Sequence, residues 1–325
     1  LQGRLCSYYD LSLANRKKDS VLAKCYEKAL QLIRRYPPPS FETEFDLYNN
    51  VIEDVKIEYS QSERSNLNRK MLQFPGIVPL VMSLVDAVKR EHLLGLIREY
   101  NENDPTAISP FPHEITTLFP CIRVLELFGF SSEEELRKDY IRFFKDGNWL
   151  EAYIYLMLDR AGYSTRLLNV HLLRRNVSVE VDVLTLFNNR FFLFETKDRS
   201  ASNGLTENDI SDISEHLEKI ANIGNTSIEM IYVINIADEY QEDVRSQIEQ
   251  ISSCGYELLG YFILNENTWW VEYFIPLEKL IDETQIRYAD DPKVLEALQS
   301  SRWEIDMFKQ NPQLNSSVFF IMKKR

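Results

Sequence analysis

The spacing of apolar residues divides the chain into a first part with helical periodicity and a second part with mixed periodicity. From about residue 16 to 145, apolar residues recur every three or four positions, which predicts helices. The first predicted helix ends before Pro37 to Pro39, and the others span 43–59, 62–72, 76–101 and 131–145. Strand-like alternation is scarce in this part, so we expect no Rossmann-type sensor domain there.

Beyond residue 146 the pattern alternates between helices and strands. Residues 148–161 are apolar on nearly every side, which predicts a buried helix ending at Gly162. A hairpin over 177–197 is followed by these predicted elements: helix 208–223, strand 228–236, helix 239–252, and strands 256–264 and 268–277. This order is typical of an α/β sandwich. We therefore predict a helical domain over 1–145 and an α/β domain with a mixed central sheet over 146–325.

Composition and charge narrow the class of protein. The chain has 325 residues, enough for about two domains, and its 44% hydrophobic and 27% charged residues exclude wholesale disorder. A net charge of -13 argues against non-specific coating of nucleic acid, because such binding depends on Lys and Arg neutralising phosphates. Most of the negative charge lies in residues 201–325, whereas 147–200 is close to neutral.

Cysteine usage and hydropathy indicate the compartment. Four cysteines lie far apart without a CxxC pair, so we expect reduced thiols and no structural zinc site: Cys6, Cys25, Cys121 and Cys254. No apolar run approaches the roughly 20 residues of a membrane span, and the first residues lack a signal-peptide pattern. We therefore expect a soluble, cytoplasmic protein without a membrane partner.

The predicted hairpin, VEVDVLTLFNNRFFLFETK, carries acidic residues inside strongly apolar strands. With Asn188-Asn189 as a two-residue turn, cross-strand partners have residue numbers that sum to 377. Asp182 then faces Glu195, with Cβ atoms about 4.5–5.5 Å apart. The two carboxylates are therefore predicted to lie side by side on one face of the sheet.

Adjacent carboxylates between apolar strands repel each other and need a compensating positive charge. Lys197 lies on the same face as Glu195 and supplies one charge, but Glu180 faces Lys197 and can claim it. We interpret Glu180 as a salt-bridge partner or a solvated strand-end residue in preference to a metal ligand. A divalent cation bridging Asp182 and Glu195 removes the deficit, and oxygen-only ligands suit Mg²⁺ or Mn²⁺.

Glu151 is the single charge in the predicted helix 148–161 before Asp159. A buried glutamate needs the same kind of compensation. If this helix packs on the carboxylate face of the sheet, Glu151 completes the shell of the cation.

The segments GNWLE, VEVDVL and FFLFETK together resemble the PD-(D/E)XK (restriction-endonuclease-like) nuclease superfamily. They look most like the nuclease domains of Mrr/RecB-like enzymes and of CRISPR ancillary nucleases of the Card1/Can2 type, over roughly residues 145–264. The resemblance implies that Asp182 and Glu195 hold the metal, that Glu151 assists, and that Lys197 positions or activates the attacking water.

The same resemblance implies a restriction-endonuclease-like sandwich and a Mg²⁺- or Mn²⁺-dependent phosphodiesterase. The resemblance further implies that such an enzyme acts on DNA or RNA, as an endonuclease more than an exonuclease, in prokaryotic defence against foreign nucleic acid. Proteins of the Card1/Can2 type place a cyclic-oligonucleotide-binding domain before the nuclease. Because residues 1–145 are predicted to be helical, that trigger does not carry over to this chain.

Other polar residues have less specific interpretations. Three arginines near strand ends are candidates for phosphate contacts, with a solvated turn as the equal alternative: Arg174, Arg175 and Arg199. His216 is interpreted as a surface or structural histidine and not as a general base. Thr196 is expected to pack on the opposite face of the sheet, and Trp269-Trp270 to pack at an edge strand or an interface.

Two other functions remain open. One is a non-catalytic interaction protein on a degenerate nuclease fold. The other is glycoside hydrolysis by the carboxylate pair, which tolerates a separation of about 5 Å and predicts activity in EDTA. We expect a nucleic-acid substrate, and a homo-oligomer or protein partner contacted through residues 1–145 or the acidic 201–325.

Overall fold

The structure is a computed structural model, and its two compact units are described separately. It describes residues 20–39, 41, 55–84, 87–101, 104, 107–160, 166–187, 190–199, 204–223, 228–235, 240, 243–244, 246–247, 256–258, 262–264 and 321–324. The described residues of 1–41, 62–84 and 89–152 form the first unit, and those of 42–61, 85–88 and 153–325 form the second. A helical N-terminal region precedes a mixed α/β region, which confirms the predicted fold class.

Helices dominate the described residues before the hairpin. In chain order they are α1 Ser20–Arg35, α2 Glu63–Gln73, α3 Ile77–Ser83, α4 Ala87–Glu99, α5 His113–Thr116, α6 Ile122–Leu127, α7 Glu133–Lys145 and α8 Asn148–Arg160. Ser62 and Ser132 cap α2 and α7 by accepting from the backbone N–H groups three residues later. The helix predicted over 76–101 is two helices, α3 and α4, and the short α5 and α6 were not predicted.

The prediction of a helix over 43–59 is wrong at its end. Lys56–Tyr59 form strand β1, and residues 42–54 lie outside the described part of the chain. β1 pairs antiparallel with β2, Arg166–Arg174, and places buried Ile57 opposite Leu172. The strand β2 was not predicted either, because four consecutive buried residues replace the alternation that indicates a strand.

The second unit contains a mixed sheet. Beyond β2 come β3 Val177–Phe187, β4 Arg190–Asp198 and β5 Ile228–Asn235, with helix α9, Glu207–Ile223, connecting β4 to β5. Strands β1 to β5 lie in chain order; β1 to β4 are antiparallel neighbours, and β4 and β5 are parallel. Three short strands extend the sheet beyond β5: β6 Tyr256–Leu258, β7 Phe262–Leu264 and β8 Ile321–Lys324.

Agreement with the remaining predicted elements varies. The predicted strand 256–264 is two strands, β6 and β7. The predicted strand 268–277 lies outside the described residues, as does most of the predicted helix 239–252. The predicted hairpin register is confirmed for the Cα pairs from Phe187 opposite Arg190 to Val183 opposite Phe194. The predicted pairs Asp182–Glu195 and Glu180–Lys197 are not part of this ladder.

The core under α9 shows where the pleat of the sheet is interrupted. Residues of one face of a strand are normally two apart. The apolar core shared with α9 contains Leu167 and Val170 of β2, and Val181 and Leu184 of β3, so each strand has one spacing of three. Asn169, whose φ is +53°, lies in this gap. The register of β2 and β3 on either side of the gap places Asn169 opposite Asp182.

Replacing Asn169 tests this interruption. Asn169→Ala is expected to lower the free energy of unfolding by about 1–2 kcal/mol, because a left-handed backbone is unfavourable for a residue with a Cβ atom. Asn169→Gly should cost less, because glycine adopts positive φ without strain. Urea denaturation of both variants measures the difference. Equal destabilisation would mean that the buried side chain matters and the backbone conformation does not.

Candidate active site

Asp182 and Glu195 lie side by side where the β3–β4 ladder ends. The backbone N–H of Asp182 donates to Oε1 of Glu195 at 3.4 Å. Oδ2 of Asp182 accepts from both the backbone N–H and the hydroxyl of Thr196, at 2.8 and 3.0 Å. The structure thus brings the two predicted carboxylate residues together. Thr196, for which only packing was predicted, is buried and also holds the Asp182 carboxylate.

The charge of Glu195 is poorly solvated. Its side chain is 8% exposed, and Nε2 of His216 lies 3.5 Å from its Oε1. Burial, assisted by the charges of Lys197 and Lys219, lowers the pKa of His216 to about 4. His216 is therefore neutral at pH 7 and does not balance the carboxylate.

Two further residues lie beside Glu195: His216, to which the sequence analysis gave a surface or structural role, and Tyr232, which it did not name. His216 follows Ile213 by three residues and precedes Ile220 by four, so it falls beside the buried stripe of α9. That spacing was the available signal. Tyr232 lies on β5 as the Cα partner of Glu195. No sequence signal identified it, because the register of two parallel strands joined by a helix is not local.

Glu151 is compensated within the first unit. The side chain is fully buried, Oε1 pairs with the guanidinium of Arg64, and Nδ2 of Asn68 donates to Oε2 at 2.5 Å. Arg64 and Asn68 both belong to α2. The guanidinium of Arg64 thus supplies the positive charge that the sequence analysis expected from a metal cation. The role of Glu151 as a metal ligand stays a prediction.

Glu180 and Lys197 flank the site on neighbouring strands. Glu180 is exposed and is the Cα partner of His171 in the β2–β3 ladder. Lys197 is half-buried and is the Cα partner of Ile234 on β5. Glu180 and Lys197 act on His216 in opposite electrostatic directions. The salt bridge between them stays a prediction.

Two of the three candidate phosphate-binding arginines are engaged with α9. Nε of Arg199 donates to Oδ2 of Asp209 at 2.8 Å, and its Nη2 pairs with Oδ1. Arg174 donates to the carbonyl of Ile223, the last residue of α9. These contacts therefore attach both ends of α9, the helix that carries His216, to arginines in or next to strands of the sheet. Arg175 is exposed in the β2–β3 turn, with φ of +54°.

The Arg199–Asp209 pair predicts a pH-dependent contribution to stability. Burial raises the pKa of Asp209, but hydrogen bonds from Arg199 and Thr206 outweigh it and bring the pKa to about 2, from 3.8. Because the folded pKa is depressed, the stabilisation is complete above about pH 4 and is lost as pH falls towards 2. The melting temperature of wild type should therefore fall more steeply over this range than that of Arg199→Ala. Arg175→Ala removes an exposed arginine and is the control, which should follow wild type. Parallel curves of melting temperature against pH for wild type and Arg199→Ala would contradict this role.

The donor atoms at the pair suit a hard cation. In the described part of the chain, no group of three or more His, Cys, Asp and Glu side chains is arranged to hold a metal ion. The Asp182–Glu195 pair offers carboxylate oxygens only, and Mg²⁺ is commonly bound by one or two carboxylates while it keeps several waters. The donor chemistry therefore fits Mg²⁺ or Mn²⁺ and does not fit a thiolate- or imidazole-rich zinc site.

Two further expectations concern the thiols and the membrane. Cys25 and Cys121 are buried thiols that form no disulfide among the described residues, as expected, and Cys6 and Cys254 lie outside the described residues. Of the helices that the structure describes, none is long and apolar enough to cross a membrane.

Comparison with known proteins gives remote similarity only. No family model and no curated protein matches the chain. A structure of protein VC1899 from Vibrio cholerae aligns with 71% of this chain and 61% of its own, at 17% identity and a TM-score of 0.38. Can2 from Sulfobacillus thermosulfidooxidans, in complex with cyclic tetra-adenylate, aligns with 70% and 55%, at 16% identity and a TM-score of 0.34. The chain thus spans less than two thirds of either protein, and we base no functional conclusion on these scores.

Proposed function

We propose that the protein is a metal-dependent nuclease that hydrolyses phosphodiester bonds of DNA or RNA. Asp182 and Glu195 hold Mg²⁺ or Mn²⁺ in this proposal. The observation that carries it is a pair of adjacent carboxylates, one of them largely buried, with a neutral histidine beside it. A bound divalent cation supplies a more acidic water and neutralises charge that develops on the phosphate.

The charge balance of the pair supports this proposal. Removing each carboxylate from water costs several kcal/mol unless it is compensated. Thr196 gives Asp182 two hydrogen bonds but no charge, and His216 is neutral at pH 7. Lys197 offers one positive charge for two carboxylates. A divalent cation matches the negative charge that remains.

Within this proposal the chain's own residues have distinct tasks. Thr196 orients Asp182 through Oδ2, which leaves Oδ1 available to a ligand. Lys197 steadies a water or a phosphate oxygen through its ammonium group. Glu151 becomes a third ligand only if it exchanges its pairing with Arg64. The enzyme belongs, in this proposal, to the PD-(D/E)XK superfamily and acts as a cytoplasmic endonuclease in antiviral defence, with the helical N-terminal domain binding a partner or a second copy.

A cleavage assay tests the proposal. Linear and circular substrates of single- and double-stranded DNA, and RNA, are incubated with Mg²⁺, with Mn²⁺ or with EDTA. We expect cleavage of at least one substrate class with Mg²⁺ or Mn²⁺ and none in EDTA, and cleavage of circles identifies an endonuclease. Cleavage that persists in EDTA would contradict the role of the metal. Glycosidase activity in EDTA would support the carboxylate-pair alternative.

A further inference from the structure

Tyr232 occupies a core position beside the carboxylate pair. It lies on β5, directly across the parallel ladder from Glu195. Its side chain is 4% exposed and belongs to the apolar core that contains Ile213 and Leu217 of α9. The ring is therefore fixed between the helix and the sheet, next to the proposed site.

The hydroxyl of Tyr232 has no hydrogen-bond partner in the part of the chain that the structure describes. A buried hydroxyl without a partner destabilises a protein, because it loses its hydrogen bonds to water. Tyr140, a buried tyrosine of the first unit, shows the usual arrangement: its hydroxyl donates to the carbonyl of Pro110 at 3.0 Å. At a purely structural position phenylalanine would serve better, as at Phe191 and Phe194 of the adjacent strand.

Electrostatic effects place this hydroxyl in the field of the pair. Burial raises the pKa of Tyr232 well above its usual value, and the charges of Glu195 and Asp182 raise it further. The hydroxyl thus keeps its proton and is available as a neutral donor at every physiological pH. His216, from α9, approaches the Glu195 carboxylate through Nε2 at 3.5 Å, and Tyr232 is the Cα partner of Glu195 on β5.

We propose that Tyr232 is a positioning residue whose hydroxyl donates to an oxygen atom of the ligand held by Asp182 and Glu195. That oxygen belongs either to a water on the cation or to the substrate phosphate. The inference rests on the proposed nuclease function. It adds a neutral hydroxyl group to the predicted site residues Asp182, Glu195, Lys197 and Glu151. It also explains why a polar atom lies at a core position where it has no hydrogen-bond partner among the described residues.

The test compares full-length wild type with Tyr232→Phe, and uses Tyr140→Phe as a matched control. Melting temperatures are measured without ligand, with Mn²⁺ alone, and with Mn²⁺ plus thymidine 5′-monophosphate. Affinities for both probes are measured by calorimetry, and kcat and KM are determined on the cleaved substrate. Both variants lose one buried hydroxyl, but among the described residues only the Tyr140 hydroxyl has a hydrogen-bond partner to lose.

We expect Tyr232→Phe without ligand to be as stable as wild type or more stable, and Tyr140→Phe to be less stable. Tyr232→Phe should bind one probe about two- to tenfold more weakly, the equivalent of one hydrogen bond. Weaker binding of Mn²⁺ alone, with lower kcat and unchanged KM, identifies the water. Weaker binding of the nucleotide only, with higher KM, identifies the phosphate oxygen. Tyr140→Phe should keep wild-type affinities.

Two results would contradict the role of Tyr232 and leave the proposed function standing. The first is that Tyr232→Phe binds both probes with wild-type affinity. The second is that Tyr232→Phe without ligand loses as much stability as the control variant. The second would mean that the hydroxyl has a partner within the protein. If wild type itself binds no Mn²⁺, the proposed function fails and the role of Tyr232 fails with it.

Discussion

Glu195→Gln is expected to lower metal-dependent cleavage by at least about 10²–10³-fold, and to raise the stability of the metal-free protein. The amide keeps the shape of the side chain but cannot supply the negative charge that a cation requires. The same change removes the negative charge of a side chain that is only 8% exposed and lies next to Asp182. Activity and stability should therefore change in opposite directions.

Cleavage rates and melting temperatures of the same preparations check this prediction. Glu218→Gln is the matched control, because Glu218 is an exposed carboxylate on α9. It should leave both quantities near wild-type values. If the Glu195→Gln protein cleaves at the wild-type rate, Glu195 is not part of the active site, whatever the stability of the variant.

Arg64→Ala is expected to lower the free energy of unfolding by about 3–5 kcal/mol, the usual cost of leaving a buried charge without its partner. Arg64 is itself 48% exposed and loses little on removal. The cost arises at Glu151, whose fully buried carboxylate loses the paired guanidinium and keeps the hydrogen bond from Asn68. Denaturant unfolding of the variant measures the loss.

A second substitution separates the structural role of Glu151 from its predicted role in metal binding. The double variant Arg64→Ala, Glu151→Leu should recover much of the stability that Arg64→Ala loses, because the buried carboxylate is then absent together with its partner. If Glu151 is also a metal ligand, Glu151→Gln in the wild-type background weakens Mn²⁺ binding. An Arg64→Ala protein as stable as wild type would show that the ion pair contributes nothing, and would favour the metal role.

The hairpin was predictable because its signals are local. The apolar runs on either side of Asn188-Asn189 in the sequence predicted the register, and the ladder ends at Val183 opposite Phe194, directly before Asp182 and Glu195. The interruption at Asn169 was not predictable, because it depends on the pairing of β2 with β3 and on a positive φ that the sequence pattern does not reveal. Strict alternation would have kept Val181 and Leu184 on opposite faces, whereas both lie in the core under α9.

Residues that complete the site come from non-local contacts. Tyr232 is the Cα partner of Glu195 in a parallel pairing across a helical connection, and β1 pairs with β2, which lies more than a hundred positions later in the chain. The charge argument for Glu151 was correct in requiring a positive partner. It could not name Arg64, because the packing of α2 against α8 is a tertiary contact.

Calorimetric titration of Mn²⁺ into wild type, Asp182→Ala and Glu195→Ala tests the central claim most directly. Circular dichroism of each variant first establishes that it is folded. The account predicts saturable binding to wild type and none to either variant. It is contradicted if wild type binds no divalent ion even with nucleic acid present, or if both variants bind Mn²⁺ as wild type does.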